Sequence, residues 1–321
     1  MKTRQQGVAL LTAMIIVTLV AALAGAMAWR QQRAVQVEAG ERARVQGAWM
    51  LQGALDWARL ILREDAISNT KPNQNWDHLG EPWAVPLAEA RLSTFLAARD
   101  GGNSGGTSDD DGPEAFLSGR IEDAQARYNL RNLLATDADA VALEQRTLAR
   151  LCENAGAPVG TADLIVRQLR AALATPRADD APLEPKLVSQ LSWFGVPPEV
   201  VARLEPLLTL LPVVTPVNLN TAPREVIAAL FDGMDLASAQ RLVQARQGAP
   251  LATSADALKY LPASISITAE RASVISNYFY VTGRLRLDQH VLVQRSLIQR
   301  VGINILVLDR QGLSEAAMSA P

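Results

Sequence analysis

The sequence has a single cysteine, Cys152, in 321 residues, so it can form no intramolecular disulfide and no cysteine-rich zinc site. Its two histidines, His78 and His290, exclude a three-histidine metal centre. Aromatic residues make up 5% of the chain, which leaves Leu, Val, Ile and Ala to build any large core. The formal charge of −2 lacks the strongly basic balance of a chain that grips nucleic acid through its phosphates. There is no H-E-x-x-H, no G-x-S-x-G, no Walker loop and no Rossmann glycine pattern, so no catalytic constellation is legible. What is present is a folded composition, 49% apolar and 20% charged, at a length suited to about two domains.

The sharpest signal is at the N-terminus. Lys2 and Arg4 precede 22 residues without a charge, Val8 to Trp29, and charge returns at Arg30 and Arg33. As a helix such a run reaches about 33 Å, enough to cross a bilayer core. Three readings compete. A cleaved signal peptide would use Ala24-Gly25-Ala26 as its site, but the apolar run is long for one. An uncleaved anchor is the second. The third rests on Gln6-Gly7-Val8-Ala9-Leu10, where a short basic leader ends in Gly and the apolar helix begins at once. That junction resembles the class 3 leader of type IV pilins and pseudopilins.

From Gln31 to Ile67 there is no Pro, and apolar residues recur at Val45, Ala48, Trp49, Leu51, Leu55, Ala58 and Leu62. The membrane helix is therefore expected to continue into an amphipathic half and to end near Ser68-Asn69-Thr70-Lys71-Pro72. The Gly-rich run 101–112, which contains Asp109, Asp110 and Asp111, has no hydrophobic residue and must be an exposed loop. Strands are expected in Phe116 to Leu130 around a turn near Asp123.

Between Leu133 and Ala272, Pro and Gly break the chain into short helices, expected at 138–155, 162–174, 185–194, 198–211, 223–230, 236–247 and 254–261. Thr221 is the expected cap of the helix that starts at Pro223. After Ala272 the period changes to two, and three strands in an antiparallel meander are expected. The economical architecture is α+β. A long N-terminal helix packs on a small antiparallel sheet, whose strands flank a large inserted all-α domain of the helix-hairpin-helix, SAM-like kind.

That hairpin reads Pro216-Val217-Asn218-Leu219-Asn220-Thr221-Ala222-Pro223, then a helix, Gly233-Met234-Asp235, and a second helix. DNA-binding hairpins hold a phosphate on backbone amides, with Lys or Arg nearby. Here Asp232 and Asp235 flank the turn, and residues 217–260 carry four cations against four anions. A packing role is the better reading. Tyr128-Asn129-Leu130-Arg131-Asn132 opens in a similar way and starts a first, degenerate half. Cys152 beside Leu148 and Leu151 reads as a small buried apolar residue, the two histidines as ordinary structural ones, and the tryptophans as core or interface anchors.

The order of these features resembles the general secretion pathway protein K family, the large minor pseudopilins of type II secretion, over essentially the whole chain. The resemblance implies a non-enzymatic tip subunit. Its leader 1–7 would be cut between Gly7 and Val8 by a prepilin peptidase, with methylation of the Val8 amine. It implies a transmembrane half over 8–29, a pseudopilin domain split into 30–132 and 273–321, and the insertion over 133–272. Thr12 stands at the fifth mature position, where most pilins carry a Glu that pairs with a neighbour's amine. The implied partners are two smaller minor pseudopilins, the major pseudopilin, the assembly platform and the peptidase. The implied location is the bacterial inner membrane, single pass, with a cytoplasmic N-terminus and a periplasmic bulk. Calcium is the implied cofactor, with Asp109, Asp110 and Asp111 as candidate hard-oxygen ligands, although their spacing is not that of an EF-hand. The competing reading is a membrane-anchored helix-hairpin-helix DNA receptor, which calls for a basic patch around Gly233.

Overall fold

The computed structural model describes residues 4–70, 75–93, 114–174, 176, 178–263, 265–287 and 290–314. The spine, helix α1, runs unbroken over Arg4–Ser68. No Pro lies between Arg4 and Ser68 to interrupt its hydrogen-bond ladder.

Five strands form one antiparallel sheet: β1 (Leu87–Arg91), β2 (Ala115–Asp123), β7 (Tyr278–Leu287), β8 (His290–Val301) and β9 (Asn304–Leu313). Their spatial order is β1-β2-β7-β8-β9, so strands from both sides of the helical insertion pair directly. The β2–β7 ladder runs from Ala115 opposite Leu287 to Asp123 opposite Phe279.

One stripe of α1 lies on this sheet. Gly47, Leu51, Leu55, Ala58, Leu62 and Ala66 are buried. Each step is three or four residues, so the six share a face. Leu55, Leu62, Trp83, Phe279 and Ile298 share one core, with the Trp83 and Phe279 rings edge-on at 5.2 Å. Burying each of these large side chains stabilises by about 1.5–3 kcal/mol. The contact is close because glycines line it. A Cβ on Gly47 would lie 2.2 Å from Leu292 Cδ1, and one on Gly283 would lie 3.1 Å from Leu51 Cδ2. The stripe expected from the sequence is corrected here: Val45, Ala48 and Trp49 point to solvent, and Trp49 is 73% exposed. Gly47 sends no apolar signal, yet it marks where the docked face begins.

The insertion contains α2 (Ala138–Asn154), α3 (Thr161–Ala172), α4 (Pro198–Leu204), α5 (Arg224–Leu230) and α6 (Leu236–Gly248). Two segments expected as helices, Val188–Phe194 and Ser254–Tyr260, are 3-10 turns. The insertion is not wholly helical. Two parallel pairs of two-residue strands tie it together: β3 (Tyr128–Asn129) with β4 (Leu208–Thr209), and β5 (Val217–Asn218) with β6 (Ala272–Ser273). The expected helix 198–211 stops at Leu204 because Pro206 lacks the amide proton that would continue the helical ladder. The second strand expected after Asp123 is only the short β3, and it leaves the main sheet for β4. A single apolar core runs from Tyr128 through Leu148, Leu169, Leu204 and Leu242 to Val274, so both halves of the insertion fold as one body.

Thr221 does not cap a helix. The carbonyl of Pro223 accepts the first helical amides, from Val226 and Ile227, both at 3.1 Å. The Thr221 hydroxyl instead donates to the buried Asp123 carboxylate at 2.5 Å.

Candidate functional site

The N-terminal half of α1 is unlike the rest. Val8, Leu11, Ile15, Leu19, Leu23 and Met27 are each more than half exposed, and none touches a core. The span starting at Val8 is long and apolar enough to cross a membrane, and none of its most apolar window is buried. Trp29 closes this apolar run, with the Arg33 guanidinium 5.7 Å from its ring. Gly7 lies within the helix, one residue before Val8. The Thr12 hydroxyl donates to the carbonyls of Val8 and Ala9, both at 3.0 Å, so it meets its hydrogen-bonding need within its own helix. Asp109, Asp110 and Asp111 lie outside the described residues.

At the other end of α1 the structure assembles a buried polar joint that the sequence reading did not find. Arg300, on β8, donates to Asp65 near the end of the spine at 2.7 Å and to Asp77 at 2.5 Å. Asp77 is fully buried and also accepts the Ser276 amide at 2.6 Å. Asp123, where β2 ends, accepts from the Ser276 hydroxyl at 2.6 Å, Asn218 Nδ2 at 3.0 Å and the Gln125 amide at 2.7 Å, in addition to Thr221. Spine, sheet and insertion therefore meet on two buried carboxylates and one guanidinium.

Carboxylate oxygens of Asp65, Asp77 and Glu81 lie within 4.8 Å of one another, a spacing that can hold a cation. The Arg300 guanidinium is the cation there. It serves several acids at once, and burial dominates their titration. Burial pushes Asp65 up to about 7, reinforced by Glu81 and Asp77 and opposed by Arg300. Burial likewise pushes Asp123 up to about 6 against its hydroxyl donors. One signal was available in the sequence: Arg300 follows Ile298 on the inward face of an alternating strand, where a charge requires a partner.

The hairpin of the insertion is clamped from within. Gly233 takes φ +79°, Met234 is buried, and Asp235 caps α6 by accepting the Ser238 amide at 2.6 Å. Asp232 turns to the first half of the insertion, where Arg150 and Arg146 of α2 reach it at 2.5 and 3.1 Å. A carboxylate thus occupies the rim a phosphate would approach, and its cations are already paired. Cys152 is buried, and burial raises its thiol to about 12, which keeps it protonated and unreactive. His78 accepts the Gly80 amide at 3.0 Å, and His290 opens β8 at the surface.

A bare apolar half-helix long enough to cross a membrane, a docked half-helix and an antiparallel sheet carrying a large helical insertion define the class of architecture. A family model described as "Type II secretion system (T2SS), protein K" matches residues 217–276. "Type II secretion system protein K" of Pseudomonas aeruginosa is 29% identical, over 94% of this chain and 90% of that one. Its counterpart in Klebsiella pneumoniae is 29% identical over 97% of both chains. Among solved structures, a chain of the GspK-GspI-GspJ complex from enterotoxigenic Escherichia coli matches with a TM-score of 0.65 at 20% identity, over 86% of this chain and 99% of that chain. These matches make the chain similar to type II secretion system protein K over nearly its whole length.

Proposed function

We propose that this protein is a minor pseudopilin that forms the tip of the periplasmic pseudopilus together with two smaller minor pseudopilins. There it nucleates filament assembly and helps drive folded proteins across the outer membrane. It acts as a structural and interaction protein, without catalysis. The observation that carries this reading is the placement of the insertion. It docks at the Ser68 end of α1, and Val8 to Ser68 spans about 90 Å of helix. The bulk thus lies at the far end from the membrane, where it would obstruct a subunit stacked above it. Thr12 fits the same position: a tip subunit has no neighbour above whose amine would need a carboxylate, and an unpaired one in the bilayer is costly. The solved relative was crystallised as a GspK-GspI-GspJ complex, which supports two small pseudopilins as partners here.

In this reading a prepilin peptidase cuts between Gly7 and Val8 on the cytoplasmic side and Val8 is N-methylated. The chain then stands once across the inner membrane, on the assembly platform and above the major pseudopilin. Calcium held by Asp109, Asp110 and Asp111 belongs to the proposal as well.

Mass analysis of the mature N-terminus from inner membranes tests it. Methylated Val8 is expected, with Gly7→Val leaving uncut precursor and no secretion. A start at Met27 would overturn the assembly mechanism. The full chain should also co-purify with two smaller pseudopilins. Binding duplex DNA instead, with steep salt dependence, would favour the receptor reading.

A further inference from the structure

On the sheet face turned away from the spine, the insertion leaves a cleft of about 70 Å³. Arg127, Arg295 and Lys186 line it, with Tyr280, Leu208 and Leu297 forming the wall. Two guanidinium groups share one ring: Arg295 stacks 3.9 Å from the Tyr280 centroid, and Arg127 lies at 5.6 Å. The Tyr280 hydroxyl is held by the Thr209 hydroxyl at 2.9 Å, so the ring is pinned between sheet and insertion.

The charges in this cleft are unequally served. Arg127 bonds Glu122 at 3.1 Å, and Glu122 also bonds Arg120 at 3.0 Å. Arg295 has no hydrogen-bonded or ion-paired acid among the described residues, and its Nε is buried without an acceptor. Glu122 and Glu205 lie close enough for their charge to be felt at Arg295, yet neither bonds it. Glu205 and Asp309 are exposed at the mouth, and Asp309 accepts from Gln311 Nε2 at 2.6 Å. The Lys186 side chain is exposed with no ion pair among the described residues. A guanidinium held against an aromatic face, its Nε buried and its terminal amines bonded to no acid among the described residues, presents those amines to a planar anion. The enclosed space suits a group as small as a carboxyl.

We propose that this cleft binds a carboxylate of a polypeptide, borne on an acidic side chain or at a chain end beside an apolar residue. Arg295 is the principal donor, Lys186 closes over the anion, and Leu208 and Leu297 take the neighbouring apolar group. The site faces away from the spine, and it stands or falls independently of the place of the protein in a filament.

The test is saturation-transfer NMR on the full chain in deuterated detergent. N-acetyl-leucine probes a chain-end carboxylate and N-acetyl-glutamic α-amide a side-chain one. N-acetyl-leucinamide and N-acetyl-glutamine amide are the neutral controls. At least one acid should bind while its amide does not, and the tighter acid names the source. Arg295→Gln should weaken binding by ~10-fold or more, as loss of a charge-assisted pair does. Lys186→Gln, at an exposed position that cannot disturb the fold, should weaken it by ~3-fold, the scale of an exposed ion pair. Equal signals from acids and amides would overturn the site. So would binding untouched by Lys186→Gln and by an Arg295→Gln protein that melts normally.

Discussion

The two halves of α1 are one continuous helix with opposite surroundings. Among the described residues no apolar side chain from Val8 to Val45 is buried, whereas from Gly47 to Ala66 a single stripe is buried to the point that Leu62 has no exposure at all. Helix geometry is the same in both. What differs is the distribution of apolar residues, all round over Val8 to Trp29 and on one face over Gly47 to Ala66. An all-round apolar helix needs an apolar solvent, and a one-sided helix needs one partner. The boundary between the halves is marked by charge, from Arg30 onward, and not by any change in backbone.

The strongest way to break this comparison is to put a charge into each half. Leu62→Asp places a carboxylate in the core with Trp83 and Phe279 and should unfold the sheet domain, a loss above about 4 kcal/mol. Leu19→Asp should leave the thermal melt of the sheet domain in detergent within about 0.5 kcal/mol while impairing membrane insertion. Equal melts for the two proteins would mean that the halves are not distinct.

A second test concerns the joint that fastens the docked half. Asp123→Ala strands the donors of Thr221, Ser276 and Asn218 and should cost about 2–4 kcal/mol, read as a lower urea midpoint. The sign with pH follows from the raised carboxyl groups. The folded state holds protons on Asp123 up to about 6 and on Asp65 up to about 7, which the unfolded chain has already released. These two groups therefore favour folding below pH about 4, and that contribution is lost as pH rises through 6 to 7. Asp123→Asn, which cannot titrate, should flatten the difference in melting temperature between pH 5 and pH 8. An unchanged slope would show that the joint does not titrate in this range.

The smallest effect is expected at Gly47. Gly47→Ala would meet the ends of the Leu292 and Leu285 side chains, at 2.2 and 3.2 Å, which can turn aside, so a cost of ~1 kcal/mol is expected from repacking. Gly47→Leu cannot be accommodated this way and should shift the melt several times further.

Much of this was legible in the sequence, for identifiable reasons. The extent of α1 follows from an uninterrupted run of helix-compatible residues and a stop near Pro72. The strands β7, β8 and β9 follow from period-two alternation, and the insertion follows from its Pro and Gly punctuation. The docked face was misread because the expected stripe took in Trp49, which lies two residues from Leu51 and so on the other side of the helix, while the real contact runs through a residue without a side chain. The joint was invisible for another reason. Asp65, Asp77, Asp123 and Arg300 are brought together only by folding and have no local spacing to betray them. The two-residue strands β3 to β6 likewise pair segments far apart in the chain, and two residues are too few to show alternation.

The ladder between β2 and β7 closes at Asp123 opposite Phe279. In topological terms those two strands are a β-hairpin, and the whole helical insertion is its loop. The side chain of Gln125 spans the neck of that loop. It accepts the Asn277 amide at 2.6 Å and donates to the Pro216 carbonyl at 3.0 Å. Closing a loop costs entropy that grows only slowly with its length. The sheet therefore bears the insertion at little entropic cost, and the helical domain rides on one of its corners, tied there through Gln125 and Asp123.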